Sequence, residues 1–479
     1  MATDQILYLA QAAEEVVPVD GANNAFVLVC AFLVLLMTPG LAFFYGGMGR
    51  SKNVLNMIMM SFSAIAVVSV LWVLYGYALT FGTDRGGLIG FSSGLLGLSD
   101  LVETSTFGLV DSTEVVNTYL LPDITFAGFQ MMFAIITVAL ISGAIADRMR
   151  FGSWLAFTAI WVTLVYFPVA HWVFAFGVAE EGGEAAGFAN GFFAADTGGW
   201  IVNRLGAFDL AGGTAVHINA GAAALALILV LGKRKGFRKE PMRPHNLPFV
   251  MLGTGLLWFG WFGFNVGSTL GSTAYSGLVL VNTQVGAAAG VLAWLAVEKL
   301  RDGHMTTLGA ASGAVAGLVA ITPACGFVSI YGALAVGVVA GAACAFAVTL
   351  KNRLGYDDAL DVVGVHLVGG LVGTLMIGVV GDQTHTLTAS LLDGGSATLL
   401  GIQAIAAGAV LTYSFVVTLV IALLLKVTIG LRVPEDEEVV GIDQTTHAET
   451  AYDLTGGLGS GASGSMVGAP RPSTTTVSS

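Results

Sequence analysis

Two histidines, His217 and His366, are the side chains of this sequence best placed to do chemistry in an apolar setting. Each sits in a hydrophobic stretch, AFDLAGGTAVHINAG and ALDVVGVHLVGG, and each follows an aspartate, Asp209 and Asp361. An ionisable group at membrane depth is expensive, so it faces a cavity, a pathway or a partner. Imidazole both donates and accepts hydrogen bonds and titrates near neutral pH. Two at one depth could line a polar file or supply a pair of metal ligands. For a lone histidine, a core imidazole satisfied by backbone carbonyls is the plainer reading. Two in corresponding segments favour the file.

The rest of the chain has to position them in lipid. Of 479 residues, 55% are hydrophobic and 10% charged, whereas a soluble globule carries about 25% charged residues. The composition is that of a polytopic membrane protein. Glycine is abundant, with 65 residues, and small residues let helices approach closely in lipid. The runs Gly309/Gly313/Gly317, Gly286/Gly290 and Gly337/Gly341 have the required spacing. A net charge of −12 argues against a nucleic-acid partner. Cys30, Cys325 and Cys344 have no metal or disulfide spacing and read as buried packing thiols. The first 20 residues lack a basic start and a long apolar run, so no secretory signal is expected.

About 20 apolar residues cross a bilayer as a helix. The hydrophobic pattern gives spans at 24–46, 54–82, 124–146, 151–177, 207–232, 248–269, 273–299, 306–324, 327–350, 358–382 and 399–430. Lys and Arg cluster after the odd-numbered spans, including the basic loop 233–247, while the other side holds only Arg85 and Arg204. The positive-inside rule then puts the N-terminus outside and the C-terminus in the cytoplasm. The basic loop divides the first ten spans into two groups of five. Five crossings is an odd number, so the second group runs inverted, and such repeats place a substrate path at their interface. The expected fold is an all-α polytopic membrane protein of eleven transmembrane helices with a 5+5 inverted repeat. Residues 1–23 would be an extracellular segment and 24–430 the helical domain. Residues 431–455 would be a cytoplasmic regulatory segment, and 456–479 a disordered Gly/Ser/Thr-rich tail. Long Gly/Ser/Thr-rich loops are expected at 83–123 and 178–206.

Counting from the span ends puts both histidines roughly 12–15 Å deep, from opposite faces. Asp209 lies about 80° round the helix and about 12 Å along it from His217, and Asp361 about 140° round from His366. Neither can orient its own imidazole. Each is expected instead to hydrogen-bond local backbone or to shape a vestibule, Asp209 at the outer end and Asp361 at the inner end. Aromatic residues cluster in LLWFGWFGFNVGS (256–268), FAGFQMMFAIITVALISG (126–143) and FPVAHWVFAFG (167–177). Such rings are commonly core or lipid-facing. Here Ser268 beside Phe264 adds a hydroxyl, and aromatic faces attract small cations. An outer aromatic cage above an imidazole pair would suit a small cation with N–H donors.

With those residues in view, the chain resembles the ammonium transporter (Amt/MEP/Rh) family, on the Amt side. The matching stretches are MTPGLAFFYGGMGRSKNVLN, FAIITVALISGAIADRMRF, DLAGGTAVHINAG, WFGFNVGS, GAVAGLVAITPACGF, DVVGVH and LRVPEDEEVVGIDQTTHAETAYD. Together they run through nearly the whole chain. The resemblance implies a homotrimer with one pore per subunit in the plasma membrane. It implies an external ammonium site at Phe133, Phe174 and Ser268, a stacked gate of Phe133 and Phe264, and a pore lined by His217 and His366. Asp209 would be an essential acid behind the outer site, while Asp361 keeps the supporting role at the inner end that helix geometry gave it. Phe174 departs from the family, which most often has the stronger cation–π partner Trp there, and the insert 178–206 is longer than in compact members. By the same resemblance no cofactor or metal is expected, the protein is not an enzyme, and a PII-type signalling protein would meet the cytoplasmic face.

A charged ion pays heavily to enter hydrocarbon and a neutral amine far less. The expected activity is therefore recruitment of ammonium at the outer site, deprotonation, and conduction of ammonia along the histidines, which also offer the proton a separate course. One alternative is an ammonium sensor signalling through its tail. The other is a haem protein with His217 and His366 as axial ligands, which lacks a second histidine pair and runs against the family resemblance.

Overall fold

A helix satisfies every backbone N–H and C=O within its own segment, which is what hydrocarbon demands of a single crossing. Among the described residues of this computed structural model, eleven helices are long and apolar enough to cross a membrane: α1 (Gly21–Met48), α2 (Val54–Phe81), α3 (Asp123–Ile145), α4 (Phe151–Phe174), α5 (Gly213–Leu231), α6 (Leu247–Gly267), α7 (Ala274–Asp302), α8 (Thr307–Ala324), α9 (Ile330–Leu354), α10 (Val363–Val380) and α11 (Thr398–Thr428). The protein is a multi-pass membrane protein. Residues 19–101, 106–107, 121–176, 197–240, 242–386 and 388–452 are described. The N-terminal segment up to residue 18, the greater part of the 178–206 insert and the tail 456–479 lie outside them, as does much of the loop 83–123.

The span ends agree with the hydropathy pattern to within a few residues at most positions and diverge at two. The expected helices 207–232 and 358–382 begin at Gly213 and Val363. In both, about five residues of buried irregular backbone replace the first turns. Backbone of that kind is tolerated at membrane depth where protein surrounds it.

The two halves pack through matching elements. First helices meet first helices: a β-carbon on Gly40 of α1 would lie 3.4 Å from the Gly253 carbonyl of α6, and one on Gly253 would lie 2.6 Å from the Gly40 carbonyl. Last helices meet last helices in the same reciprocal way. A β-carbon on Gly221 of α5 would lie 2.5 Å from the amide nitrogen of Leu367, and one on Gly370 of α10 would lie 3.1 Å from that of Ile218. Within the second half, the expected small-residue runs form contacts. Gly337 and Gly341 of α9 would each drive a β-carbon to 2.3 Å from a carbonyl of α7, those of Gly286 and Gly290 respectively. α11 lies across both halves against α5, α10 and α4.

With eleven crossings the two termini lie on opposite faces, here called the N-terminal and C-terminal faces. The residues after α11 fold back on the C-terminal face as two short helices, α12 (Glu435–Val440) and α13 (Ile442–His447). The Asp443 carboxylate accepts the Leu55 and Asn56 amides at 3.1 and 2.8 Å, satisfying donors exposed at the start of α2. The Ile442 amide donates to Asn53 Oδ1 at 2.7 Å, and Arg432 pairs with the buried Glu438 at 2.6 Å. Nearby, Arg234 grips Asp357 at 2.6 Å with both side chains nearly removed from solvent. Burial pushes the Asp357 carboxyl up, but the Arg234 guanidinium, with Arg148 behind it, overcomes this and holds it below the usual carboxylate range.

Candidate functional site

The site starts from how α5 and α10 begin. Gly212 takes a left-handed conformation, φ 112° and ψ 36°, and a β-carbon there would also press to 2.6 Å from Val216 Cγ2. The turn brings Asp209 over the helix start. Its Oδ1 accepts the Gly212 and Gly213 amides and its Oδ2 the Thr214 amide, each at 2.7 Å. The Thr214 hydroxyl donates to the same Oδ2. These are donors that a helix start leaves orphaned, and in a buried position each would otherwise be costly.

α10 begins by the same device, with a different aspartate from the one expected. Asp358 accepts the Val362 amide at 3.1 Å and the Val363 amide at 2.8 Å. It precedes His366 by eight residues, as Asp209 precedes His217. Asp361 occupies the position of Gly212 and shares its left-handed backbone, φ 64°, a conformation Asp tolerates better than most residues. Its carboxylate pairs with Lys351 of α9 and caps no helix start. The repeat partner of Asp209 is therefore Asp358, and Asp361 is the hinge residue between it and α10.

Each start delivers one imidazole into the bundle. Both lie within wide π-type turns, Gly213–Ile218 and Val363–Leu367. His217 and His366 are 1% and 3% exposed. Their rings lie nearly parallel, centroids 5.4 Å apart and planes at 18°, with the two Nδ1 atoms 3.3 Å apart. Facing nitrogens at that distance can share one proton, one donating and the other accepting. The outward nitrogen of His217, Nε2, has no hydrogen-bond partner among the described residues. A buried polar atom left unpaired in this way is one that a guest with an N–H could satisfy.

Aromatic rings continue the file toward the N-terminal face. Phe264 of α6 lies 6.1 Å from the His217 ring. Phe133 of α3 stacks on Phe264 at 4.3 Å and 26°. Phe174, at the end of α4, meets Phe133 edge-on at 6.4 Å and 75°. Ser268, just past the end of α6, donates to the Phe264 carbonyl at 2.8 Å, which leaves its oxygen lone pairs available. So Phe174, Phe133, Phe264, His217 and His366 form one continuous series, with Ser268 beside its outer part. Asp209 stands behind the His217 helix start and Asp361 stands off at the C-terminal end.

Trp261 was not singled out among the aromatics of α6. It stacks on His217 at 5.4 Å and 19°, and its indole N–H donates to Thr322 Oγ1 at 2.7 Å. Its place one turn before Phe264, on the same helix face, was the available signal. Trp172 does not replace Phe174. Its indole N–H donates to the Leu88 carbonyl at 2.8 Å, and its ring packs on Trp200 and Tyr413. Also unforeseen is His171, buried between the Thr80 carbonyl at 2.6 Å and Asp84 at 3.0 Å, where it ties α4 to the end of α2. The three cysteines are free and buried. Among the described residues, no group of three or more His, Cys, Asp or Glu side chains is gathered as metal ligands would be.

Known proteins resemble this chain along most of their length. The profile of the Ammonium Transporter Family matches residues 25–452. The ammonium transporter of Mycobacterium tuberculosis (strain ATCC 25618 / H37Rv) is 56% identical over 453 residues, which is 92% of each chain. Among solved structures, Saccharomyces cerevisiae Mep2 superposes with a TM-score of 0.75 at 33% identity, over 90% of this chain and 93% of that one. The Sensor Amt Protein superposes with a TM-score of 0.75 at 30% identity, over 88% of this chain and 97% of that one. With a match that takes in both histidine-bearing helices and the segment folded back beyond α11, the chain belongs to the Ammonium Transporter Family.

Proposed function

We propose that this protein transports ammonium across the plasma membrane, with its N-terminal face outside. Ammonium is recruited at Phe133, Phe174 and Ser268, loses its proton at the Phe133–Phe264 gate to the imidazole pair, which passes it on separately, and crosses as ammonia along His217 and His366. The observation that carries this reading is the buried imidazole pair with one ring nitrogen unpartnered, reached through a file of aromatic rings. The rings offer cation–π attraction of roughly 0.5–2 kcal/mol each, and the Ser268 oxygen can accept an ammonium N–H. That is too little to carry a bare ion through the closed Phe133–Phe264 stack, so the species that passes is neutral. Potassium has no N–H and no proton to lose, so it is excluded. The assembly proposed with this is a homotrimer with one pore per subunit, and its C-terminal face is the side on which a PII-type protein would act.

Ammonium-evoked current and uptake in proteoliposomes test the proposal. Wild type conducts ammonium and not potassium, and the variant carrying both His217→Ala and His366→Ala loses conduction or its selectivity. Equal permeation of potassium, or full selective activity in the double variant, overturns it. A sensor role is a second reading, supported by the segment after α11 being docked on α2 through Asp443 and by the likeness to the Sensor Amt Protein. Rescue of a transport-deficient strain on low ammonium favours transport.

A further inference from the structure

The C-terminal face holds a concavity apart from the histidine file, of about 480 Å³. Its lining includes the apolar side chains Met48, Phe237, Leu308 and Leu360. It also includes six cations, Arg50, Arg234, Lys235, Arg238, Lys239 and Lys351, against two carboxylates, Glu240 and Asp361. Positive-inside placement accounts for basic residues on this face, but not for six of them converging on one hollow.

Four of the six already have an acidic partner. Arg50 pairs with Asp147 at 2.7 Å, Arg234 with Asp357 at 2.6 Å, Lys235 with Glu435 at 2.8 Å, and Lys351 with Asp361. Arg238 and Lys239 make no ion pair or side-chain hydrogen bond among the described residues. They are nonetheless held in place. The Arg234 amide and guanidinium are both bound to Asp357, at 2.6 Å each. From that anchor the chain makes tight turns, with Phe237 N–H donating to the Arg234 carbonyl at 3.1 Å and Lys239 N–H to the Gly236 carbonyl at 2.9 Å. Arg238 itself is left-handed, φ 65°, a conformation unfavourable for a long side chain and kept here by the turn. Two unpartnered cations on an anchored turn, in a hollow that apolar side chains also line, form a preorganised anion site. The volume falls in the range of small-molecule sites, roughly 300–1,000 Å³. Arg presents a fork matched to phosphate oxygens and Lys adds a point charge.

We propose that this hollow binds a multivalent phosphate-bearing anion, gripped by Arg238 and Lys239 with Lys235 beside them and its apolar part over Phe237 and Leu308. The phosphate could be a free phosphorylated compound in the aqueous phase or the headgroup of an anionic lipid. The two share the same recognition chemistry and separate experimentally.

The full chain in nanodiscs of phosphatidylcholine is titrated calorimetrically with inorganic triphosphate, and the same is done in nanodiscs containing phosphatidylglycerol. Saturable binding is expected, weakened at least tenfold in the variant R238N/K239Q, where Asn keeps a left-handed position tolerable. Binding is expected to fall as salt rises and to be unchanged in K299Q, which alters a lysine of the same face outside the hollow. Binding in phosphatidylcholine that is suppressed by phosphatidylglycerol identifies the headgroup as the source, and equal binding in both identifies the free anion. The proposal is overturned if triphosphate gives no saturable binding in phosphatidylcholine and R238N/K239Q co-purifies with as much phosphatidylglycerol as wild type. It is equally overturned if K299Q weakens binding as much as R238N/K239Q, because then the charge of the whole face is responsible. Thermal denaturation of R238N/K239Q at the wild-type temperature excludes misfolding as the cause of a loss.

Discussion

Phe174 tests the outer end of the file at the level of a single ring. Its edge meets Phe133 and it packs over Gly212, whose added β-carbon would lie 3.5 Å from Phe174 Cζ. Trp offers a stronger face to a cation, and the whole attraction at an exposed ring is about 0.5–1 kcal/mol, which bounds the gain. Phe174→Trp is therefore expected to lower the ammonium concentration for half-maximal uptake about two- to fivefold. An unchanged concentration dependence with normal expression would remove Phe174 from ammonium recruitment. The residue types of the file were legible in the sequence, because imidazoles and a hydroxyl are conspicuous among apolar side chains. The role of Trp261 was not, since one more aromatic in a helix of aromatics carries no sign of which imidazole it will stack on. Nor was Asp358: Asp361 is nearer to His366, and the shared eight-residue spacing gains its meaning only once both helices are seen to start at the same register.

At the scale of elements, α5 and α10 are full crossings that start about five residues late, launched from the half-buried Asp209 and the buried Asp358. Hydropathy counted straight through both launches, since Ala, Leu and Val are as apolar in an irregular strand of chain as in a helix. What stops the helix is backbone geometry, the left-handed Gly212 and Asp361, to which hydropathy is blind. Asp358→Ala removes the acceptor for two amides and is expected to cost about 1–2 kcal/mol. Asp361→Asn keeps a residue that tolerates the left-handed backbone and loses only a partly exposed ion pair, worth about 0–1 kcal/mol. Thermal unfolding in detergent should rank the two variants in that order, and the reverse order would return Asp361 to the role of helix anchor. The contact between α5 and α10 is equally exacting. Gly221→Ala puts a methyl against the Leu367 backbone, which has no rotamer to yield, so overpacking of about 1–3 kcal/mol is expected. A melting temperature equal to wild type would show that these helices have slack between them.

Across the whole molecule, Arg–carboxylate pairs gather on the C-terminal face, and the helices behind them are held by close apolar packing. The Arg234–Asp357 pair makes this pH-sensitive in a definite direction. Asp357 has a folded-state value below its unfolded one of about 3.9. Its contribution is thus fully present above that unfolded value and is lost as pH falls through the lower, folded value. Asp357→Asn leaves Arg234 buried without its counter-charge, which is expected to cost about 3–5 kcal/mol near neutrality. Below about pH 4 the melting curves of wild type and variant should converge. Parallel curves across that window would show that Asp357 does not titrate with unfolding. The count of helices and the division of the chain at the basic loop were open to sequence reading because charge and hydropathy are local properties. The fold-back of residues 435–447 onto α2 was not, since it depends on backbone amides that any sequence possesses.

The reciprocal contacts of α1 with α6 and of α5 with α10 have one more consequence. Phe133, Phe174 and His217 come from the first half, while Phe264, Ser268 and His366 come from the second. Neither half supplies the whole of this series of side chains. The proposed route would exist only as the seam along which the two halves of one polypeptide close on each other. A residue far from either histidine can therefore widen or pinch it simply by changing how the two sides meet.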